Sequence, residues 1–409
     1  MVPQSRAVVV AAGRSPIGRA RKGSLTRMRP DDLLAQVIRA VLDEVPSLDA
    51  TTLDDLMVGC AQPAGEAAFN LARATGVQLG LDSVPGVTVN RFCASSLQTT
   101  RMAMHAINAG EGSAYVSAGV ETVSRYDRGT ADGWPDTRNP FFAEARDRSA
   151  VALKATEYAW DDPRERGWVP DLYMTMGQTA ENVAVHRNVS REAMDEFAAR
   201  SQQRAVTATE AGFFQREIIP VTLPDGTVVD VDDCPRPGVS TETLASLQPA
   251  FRPGGRVTAG NCCPLNDGAA ALVVMDEQRA LSLGLMPLAR LLGSGLSGLS
   301  PEIMGLGPVE ACTRAMASVG MSVGDIDLVE MNEAFAAQVI PSYEQLGIDL
   351  DRLNVNGGAI ALGHPFGMTG ARLVTTLING LRSRDETIGM ATMCVGGGQG
   401  MALVLERLA

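Results

Sequence analysis

Only two lysines, Lys22 and Lys154, occur among the 35 basic residues, and only three histidines, at 105, 186 and 364. Arginine therefore carries almost all of the positive charge, and it is scattered rather than banded. With a net charge of −12 this argues against a nucleic-acid-binding face. It does not exclude a phosphorylated ligand, because an acidic protein can hold a polyanion through one local arginine. The seven cysteines (60, 93, 234, 262, 263, 312 and 394) contain no CxxC pair, so neither a zinc ribbon nor a disulfide framework is indicated. No apolar run approaches the roughly 18 residues needed to cross a bilayer. Nor is there a basic start leading into a long apolar stretch, so Ala7 to Ala12 reads as a first strand rather than a secretion signal. The expectation is a cytoplasmic protein with no membrane span.

What is present is length and internal similarity. A chain of 409 residues is too long for one simple core. A helix-like stretch (Asp32 to Glu44) precedes Leu53 to Cys60, and another (Pro308 to Val319) precedes Ile326 to Asn332. Val87 to Asn90 and Leu353 to Asn356 each end in Val-Asn, then lead through small residues into further helix-like runs, Leu97 to Ala109 and Thr369 to Leu381. Apolar strands follow at Ala114 to Gly119 and Gly389 to Val395. A repeat of this length argues for a duplicated domain, and the alternation predicts α/β layers with largely parallel strands. Between the halves, about Arg125 to Arg256, the texture changes. Tyr126 to Met176 is rich in Asp, Arg, Pro and Gly and holds all three tryptophans (134, 160 and 168). A helix from the N-cap Ser190 to Ala211, stopped by Gly212, and a hairpin around Pro224-Asp225-Gly226 follow.

Four segments carry candidate chemistry. In Val89-Asn90-Arg91-Phe92-Cys93-Ala94-Ser95-Ser96 the thiol falls at a strand-to-helix turn, where backbone N–H groups favour a thiolate and lower its pKa. A buried cysteine at an ordinary corner fits the same segment. His364, in Gly363-His364-Pro365, lies on a stiff glycine-lined turn suited to a general base, whereas His105 falls mid-helix and His186 in an exposed helical stretch. An apolar strand delivers Cys394 to Gly396-Gly397-Gly398, which lacks the spacing of nucleotide-binding loops. Asn332-Glu333-Ala334-Phe335 reads first as a helix cap, with a water-positioning amide as the alternative.

Together these blocks resemble the thiolase family: Val-Asn-Arg-Phe-Cys at 89–93, Asn-Glu-Ala-Phe at 332–335, Gly-His-Pro at 363–365 and Cys-x-Gly-Gly-Gly at 394–398. Met176 to Asn182, Thr258 to Asn261 and Asn266 to Gly268 agree, so the resemblance covers nearly the whole chain. It implies a duplicated αβαβα layered fold. The N-terminal half would be 1–124 with about 257–280 returning to it, the inserted loop domain over the cleft 125–256, and the C-terminal half 281–409. It implies Cys93 as nucleophile, His364 as its base and Cys394 as the second proton carrier. Asn332 and Gly396 would each contribute to an oxyanion hole. For coenzyme A it points to Met176, Arg236, Ala259, Cys263, Leu265, Ala334 and Phe335, although Arg236 also fits a solvated loop arginine. The implied activity is cleavage of 3-oxoacyl-CoA by coenzyme A, with no metal or redox cofactor, in a homodimer or homotetramer. Its rivals are an acetoacetyl-CoA-forming enzyme, a non-catalytic CoA- or lipid-binding homologue and a Cys–His hydrolase.

Three positions depart from the family pattern. Ser96 replaces a glycine, Cys262-Cys263-Pro264 replaces a small Ala-Ser-Gly stretch, and Thr175 stands where acetoacetyl-type members carry histidine. The last difference, with the length of the 126–176 segment, leans toward degradation of longer or bulkier acyl groups.

Overall fold

The computed structural model describes residues 6–128, 137–155 and 158–409. Trp134 lies outside these residues. Eleven-residue β8 (Asn266–Asp276) shows how the layers arise: Leu272 and Val274 face one core while Val273 and Met275 face another, all fully buried. Such two-sided burial needs apolar residues at both parities of a strand, which is why this stretch is continuously apolar.

β8 belongs to a ten-stranded sheet. Its strands are β1 (Ala7–Arg14), β2 (Gly18–Arg19), β3 (Asp55–Gly59), β4 (Gly86–Val89), β5 (Ala114–Thr122), β8, β9 (Ala289–Gly298), β10 (Leu328–Met331), β11 (Ile388–Val395) and β12 (Gln399–Arg407). Along the sheet the order is β10-β11-β12-β9-β1-β8-β5-β3-β4, with β2 pairing β8. β6 (Val221–Thr222) and β7 (Val228–Val229) form a separate hairpin around Pro224-Asp225-Gly226, in agreement with the sequence reading.

The two halves mirror one another about the short antiparallel join of β1 to β9, where Val8 pairs with Arg290 and Val9 with Ala289. Between the two wings of the sheet lie two central helices, Ser95–Ala109 and Thr369–Arg384, whose Leu97, Ile107, Leu373 and Leu377 fill the inner core. Helix Pro30–Asp43 covers the outer face of one half and helix Gly307–Ser318 that of the other. The α/β layered and duplicated fold class is thus as expected.

Two details differ from the sequence reading. The sheet is mixed: β3–β4, β3–β5 and β10–β11 are parallel, but β1–β8, β1–β9, β5–β8, β9–β12 and β11–β12 are antiparallel. The C-terminal half closes with a strand that returns directly, β11 to β12 through the Gly396 turn, and in the N-terminal half β8 returns antiparallel to β5 after the long intervening segment. Leu353 to Asn356 is not a strand either. Leu353 makes one isolated bridge to Val329, and Asn354 then turns into the left-handed region at φ 45°. Its side-chain amide takes over the role of a strand neighbour, accepting from Met331 N (2.8 Å) and donating to Met331 O (2.9 Å).

Helix Arg191–Glu210 forms as the sequence reading expected, capped by Ser190 Oγ accepting from Ala193 N and ended by Gly212 at φ 72°. Among the described residues no helix is long and apolar enough to cross a membrane.

Candidate active site

Cys93 follows β4 and precedes the central helix that starts at Ser95. The turn is strained in an informative way. Phe92 adopts φ 43°, a left-handed conformation that costs a bulky residue about 1–3 kcal/mol and persists only when surroundings impose it. Asn90 Oδ1 accepts from Phe92 N (2.8 Å), and Ser95 Oγ donates to Phe92 O (2.6 Å), so side chains on both flanks hold the turn. Cys93 is only half-buried by surface area, yet protein surrounds its sulfur on most sides.

The backbone N–H groups of Gly396 and of Cys93 itself point at that sulfur. They do not lower its pKa below the ordinary value, as the sequence reading expected. Burial dominates and pushes the thiol up to about 11, opposed by those two N–H groups and reinforced by the Glu121 carboxylate. The resting group is a thiol, and for its sulfur to act as a nucleophile a base would have to remove the proton.

His364 is almost fully buried, and its backbone is clamped by Asn266, whose Oδ1 accepts from His364 N at 3.0 Å. The preceding Gly363 has φ 109°, and a Cβ there would lie 2.6 Å from the Asn266 amide, so only glycine fits this turn. Thr369 fixes the tautomer. Its hydroxyl has one hydrogen, donated to Pro365 O at 2.7 Å, so it must accept from His364 Nδ1 at 2.6 Å. Nδ1 therefore carries the proton and Nε2 presents a lone pair. Burial first, then the Arg372 charge, depress this imidazole to about 3, which keeps it neutral at rest.

Asn332 Nδ2 lies 3.2 Å from His364 Nε2, while Asn332 Oδ1 is buried with no protein partner. A buried amide oxygen left this way costs about 1–3 kcal/mol unless something donates to it. Neither Asn332 nor Glu333 caps the helix that follows. That helix, Ala336–Leu346, begins at Phe335 without a side-chain cap. Glu333 instead accepts from Ser201 Oγ (2.6 Å), Asn354 Nδ2 (2.8 Å) and Ile360 N (3.2 Å), bracing the turn that leads to His364. The helix-cap reading fails because the chain stays extended through Phe335, at φ −148°, before coiling.

Cys394 is fully buried near the end of β11, and burial, then the Cys93 charge, push its thiol well above the ordinary range. Cys263 is close enough to both thiols for their charges to act on it. Its N–H donates to Ala334 O at 3.0 Å, laying the 261–263 segment beside residues 334–336. Ala334 and Phe335 are buried, Met176 and Cys263 half-buried, and Ala259 and Leu265 exposed. Arg236 is exposed as well, and only its backbone is fixed, donating to Gln202 Oε1 at 2.9 Å.

The departures have local explanations. Ser96 Oγ accepts from Ala371 N at 2.9 Å, tying the two central helices together beside Cys93. Thr175 starts helix Met176–His186, with Gln178 Oε1 accepting from its N–H and its hydroxyl. Sequence reasoning did not find Thr369, Asn266, Gln338 or the strain at Phe92. Gln338 Nε2 donates to Asn332 O at 3.2 Å. Asn266 lay in a segment already marked by resemblance, but nothing signalled its contact with residue 364, 98 positions away.

Two mirrored α/β halves, with a thiol, an imidazole and a second thiol brought to glycine-lined turns at their ends, define an acyl-transferring enzyme of the α/β class. The chain belongs to the thiolase family: the thiolase N-terminal domain matches residues 7–278 and the thiolase C-terminal domain residues 285–407. It is 44% identical to the 3-ketoacyl-CoA thiolase of Serratia proteamaculans over 411 residues, covering 98% of this chain and 99% of that protein. The acetyl-CoA acetyltransferase of Escherichia coli is 41% identical over 406 residues, covering 98% of this chain and 99% of that one. The dimeric peroxisomal thiolase of Saccharomyces cerevisiae superposes with a TM-score of 0.87 at 35% identity, covering all of this chain and 98% of that structure. This protein is a thiolase enzyme.

Proposed function

We propose that this thiolase cleaves 3-oxoacyl-CoA with free coenzyme A, giving acetyl-CoA and a shortened acyl-CoA, in a degradative role in the cytoplasm. The observations that carry the reading are a half-buried Cys93 thiol with two backbone N–H groups at its sulfur and a neutral His364 whose Nε2 is unprotonated. Cys93 Sγ attacks the 3-oxo carbon while its proton passes to the imidazole. Coupling the two steps is needed because neither the free thiolate nor the imidazolium is favoured alone. The protonated Nε2 then donates to an oxygen that gains charge, joined by a water held on Asn332 Oδ1. The N–H groups of Cys93 and Gly396 form the second such site. When the C2–C3 bond breaks, the bonding pair goes to the acetyl-CoA enolate, and Cys394 supplies its proton. Free coenzyme A then gives its thiol proton to the Cys394 thiolate and attacks the acyl carbon, and as the acyl–sulfur bond to Cys93 breaks, that sulfur regains the proton held on His364.

Coenzyme A is placed in this reading along Met176, Arg236, Ala259, Cys263, Leu265, Ala334 and Phe335. Support comes from the strand-like contact of 261–263 with 334–336, which holds Cys263 beside Ala334, while Ala259 and Leu265 on either side of that contact are exposed. No metal or redox cofactor takes part. The residues divide into an N-terminal half 1–124 with about 257–280, an inserted domain 125–256 covering the cleft, and a C-terminal half 281–409. The enzyme works as a homodimer or homotetramer. The outer edge of β4 and the almost fully exposed Phe69 nearby are suited to contact a second copy.

The test is a thiolysis assay on acetoacetyl-CoA and a ten-carbon 3-oxoacyl-CoA. Acetyl-CoA should form from both, with parallel double-reciprocal lines and the longer substrate preferred. Much faster turnover of acetoacetyl-CoA sinks the degradative assignment.

A further inference from the structure

The glycine turn between β11 and β12 is bordered by two large apolar side chains that remain open to solvent. A Cβ built on Gly396 lies 3.4 Å from Phe92 Cγ, and one on Gly397 lies 3.7 Å from both Phe92 Cε2 and Leu172 Cδ1. Phe92 is 42% exposed and Leu172 39% exposed, although each packs against the turn. Phe92 directly precedes Cys93, and its strained backbone is what turns its ring onto Gly396 and Gly397.

Leu172 reaches the same turn from the segment between the two halves, and its position is not loose. The next residue back, Asp171, donates its N–H to the buried Glu302 carboxylate at 2.9 Å and accepts from Tyr173 N at 2.9 Å. Glu302 also accepts from Trp160 Nε1 at 2.9 Å, so a buried carboxylate anchors the strand of chain on which Leu172 is carried. Two rigidly mounted apolar side chains beside a glycine surface make a slot that suits a flat or extended hydrocarbon. Glycines 396 and 397 present no side chain to fill it.

Resting on the thiolase reading, we infer that Phe92 and Leu172 are the walls that recognise the acyl group carried by Cys93. The favoured substrates are 3-oxoacyl-CoA thioesters whose acyl group continues as an apolar chain beyond the acetoacetyl unit, and Leu172 is the residue that sets this preference. It acts by contact with the chain and takes no part in bond making.

The test replaces Leu172 by glutamine, similar in size but polar, and by methionine, which keeps an apolar wall. Each variant and the parent are assayed on a ten-carbon 3-oxoacyl-CoA and on acetoacetyl-CoA, and the ratio of the two kcat/KM values is read. Leu172→Gln is expected to lower that ratio at least tenfold, mainly through KM of the longer substrate, while Leu172→Met keeps it within threefold. An unchanged ratio in Leu172→Gln, or an equal fall in both variants, overturns the inference and leaves the thiolase reading standing. Absence of acetyl-CoA from either substrate with the parent enzyme overturns both.

Discussion

Replacing Cys93 with alanine should lower kcat for thiolysis at least about ten-thousandfold, the scale expected when the nucleophile of a covalent mechanism is removed. Nothing nearby can substitute for it. Cys394 is fully buried and its thiol is pushed well above the ordinary range; Cys263 is raised in the same way by burial and by three neighbouring thiols. Cys93 alone combines partial exposure with two N–H groups aimed at its sulfur. The fold should tolerate the change, because Cys93 sits on a turn held by Asn90 and Ser95 side chains rather than by its own. Retention of more than about a hundredth of the parent rate, measured on protein with an unchanged unfolding midpoint, contradicts the assignment.

The second large effect is structural. Arg14, at the end of β1, is fully buried and bonds Glu217 at 2.6 Å and Asp232 at 2.7 and 2.9 Å. Its guanidinium also lies 5.4 Å over the Phe214 ring. Glu217 in turn accepts from Thr376 and Asn379 of the central helix, both at 3.2 Å. One arginine thereby ties the sheet to the 214–232 segment and, through Glu217, to the helix that begins at Thr369. Arg14→Leu leaves two carboxylates with almost no solvent access and without the guanidinium bonded to both, and should destabilise the protein by about 3–5 kcal/mol. Urea unfolding at fixed protein concentration checks this, and a loss under about 1 kcal/mol contradicts it.

Neither Arg14 nor its partners could be paired from the sequence, since they are separated by 203 and 218 positions. The same limit explains much of what was and was not legible. Cys93, His364, Asn332 and the Gly396 turn stand in short blocks with recognisable local texture, and the resemblance tied them together. The duplicated layering was visible because two-sided burial forces apolar runs of strand length. Strand direction was not, because β11 and β12 are joined by a three-residue glycine turn that looks the same as a ligand loop. The roles of Asn354 and Glu333 were not legible for a related reason. Polar side chains that replace backbone partners, as Asn354 does for Met331, or that support a distant turn, as Glu333 does for Ile360, leave no periodic trace. The Cys93 pKa came out opposite in sign because burial, invisible in a sequence, outweighs the two N–H groups that the turn supplies.

The most direct test of the covalent role of Cys93 omits the second substrate. The enzyme is mixed with a 3-oxoacyl-CoA in the absence of free coenzyme A, and its intact mass is measured. One acyl group should appear on the protein, mapped to Cys93 by peptide mass, with a matching release of acetyl-CoA. No adduct and no acetyl-CoA, or an adduct on another residue, contradicts the account.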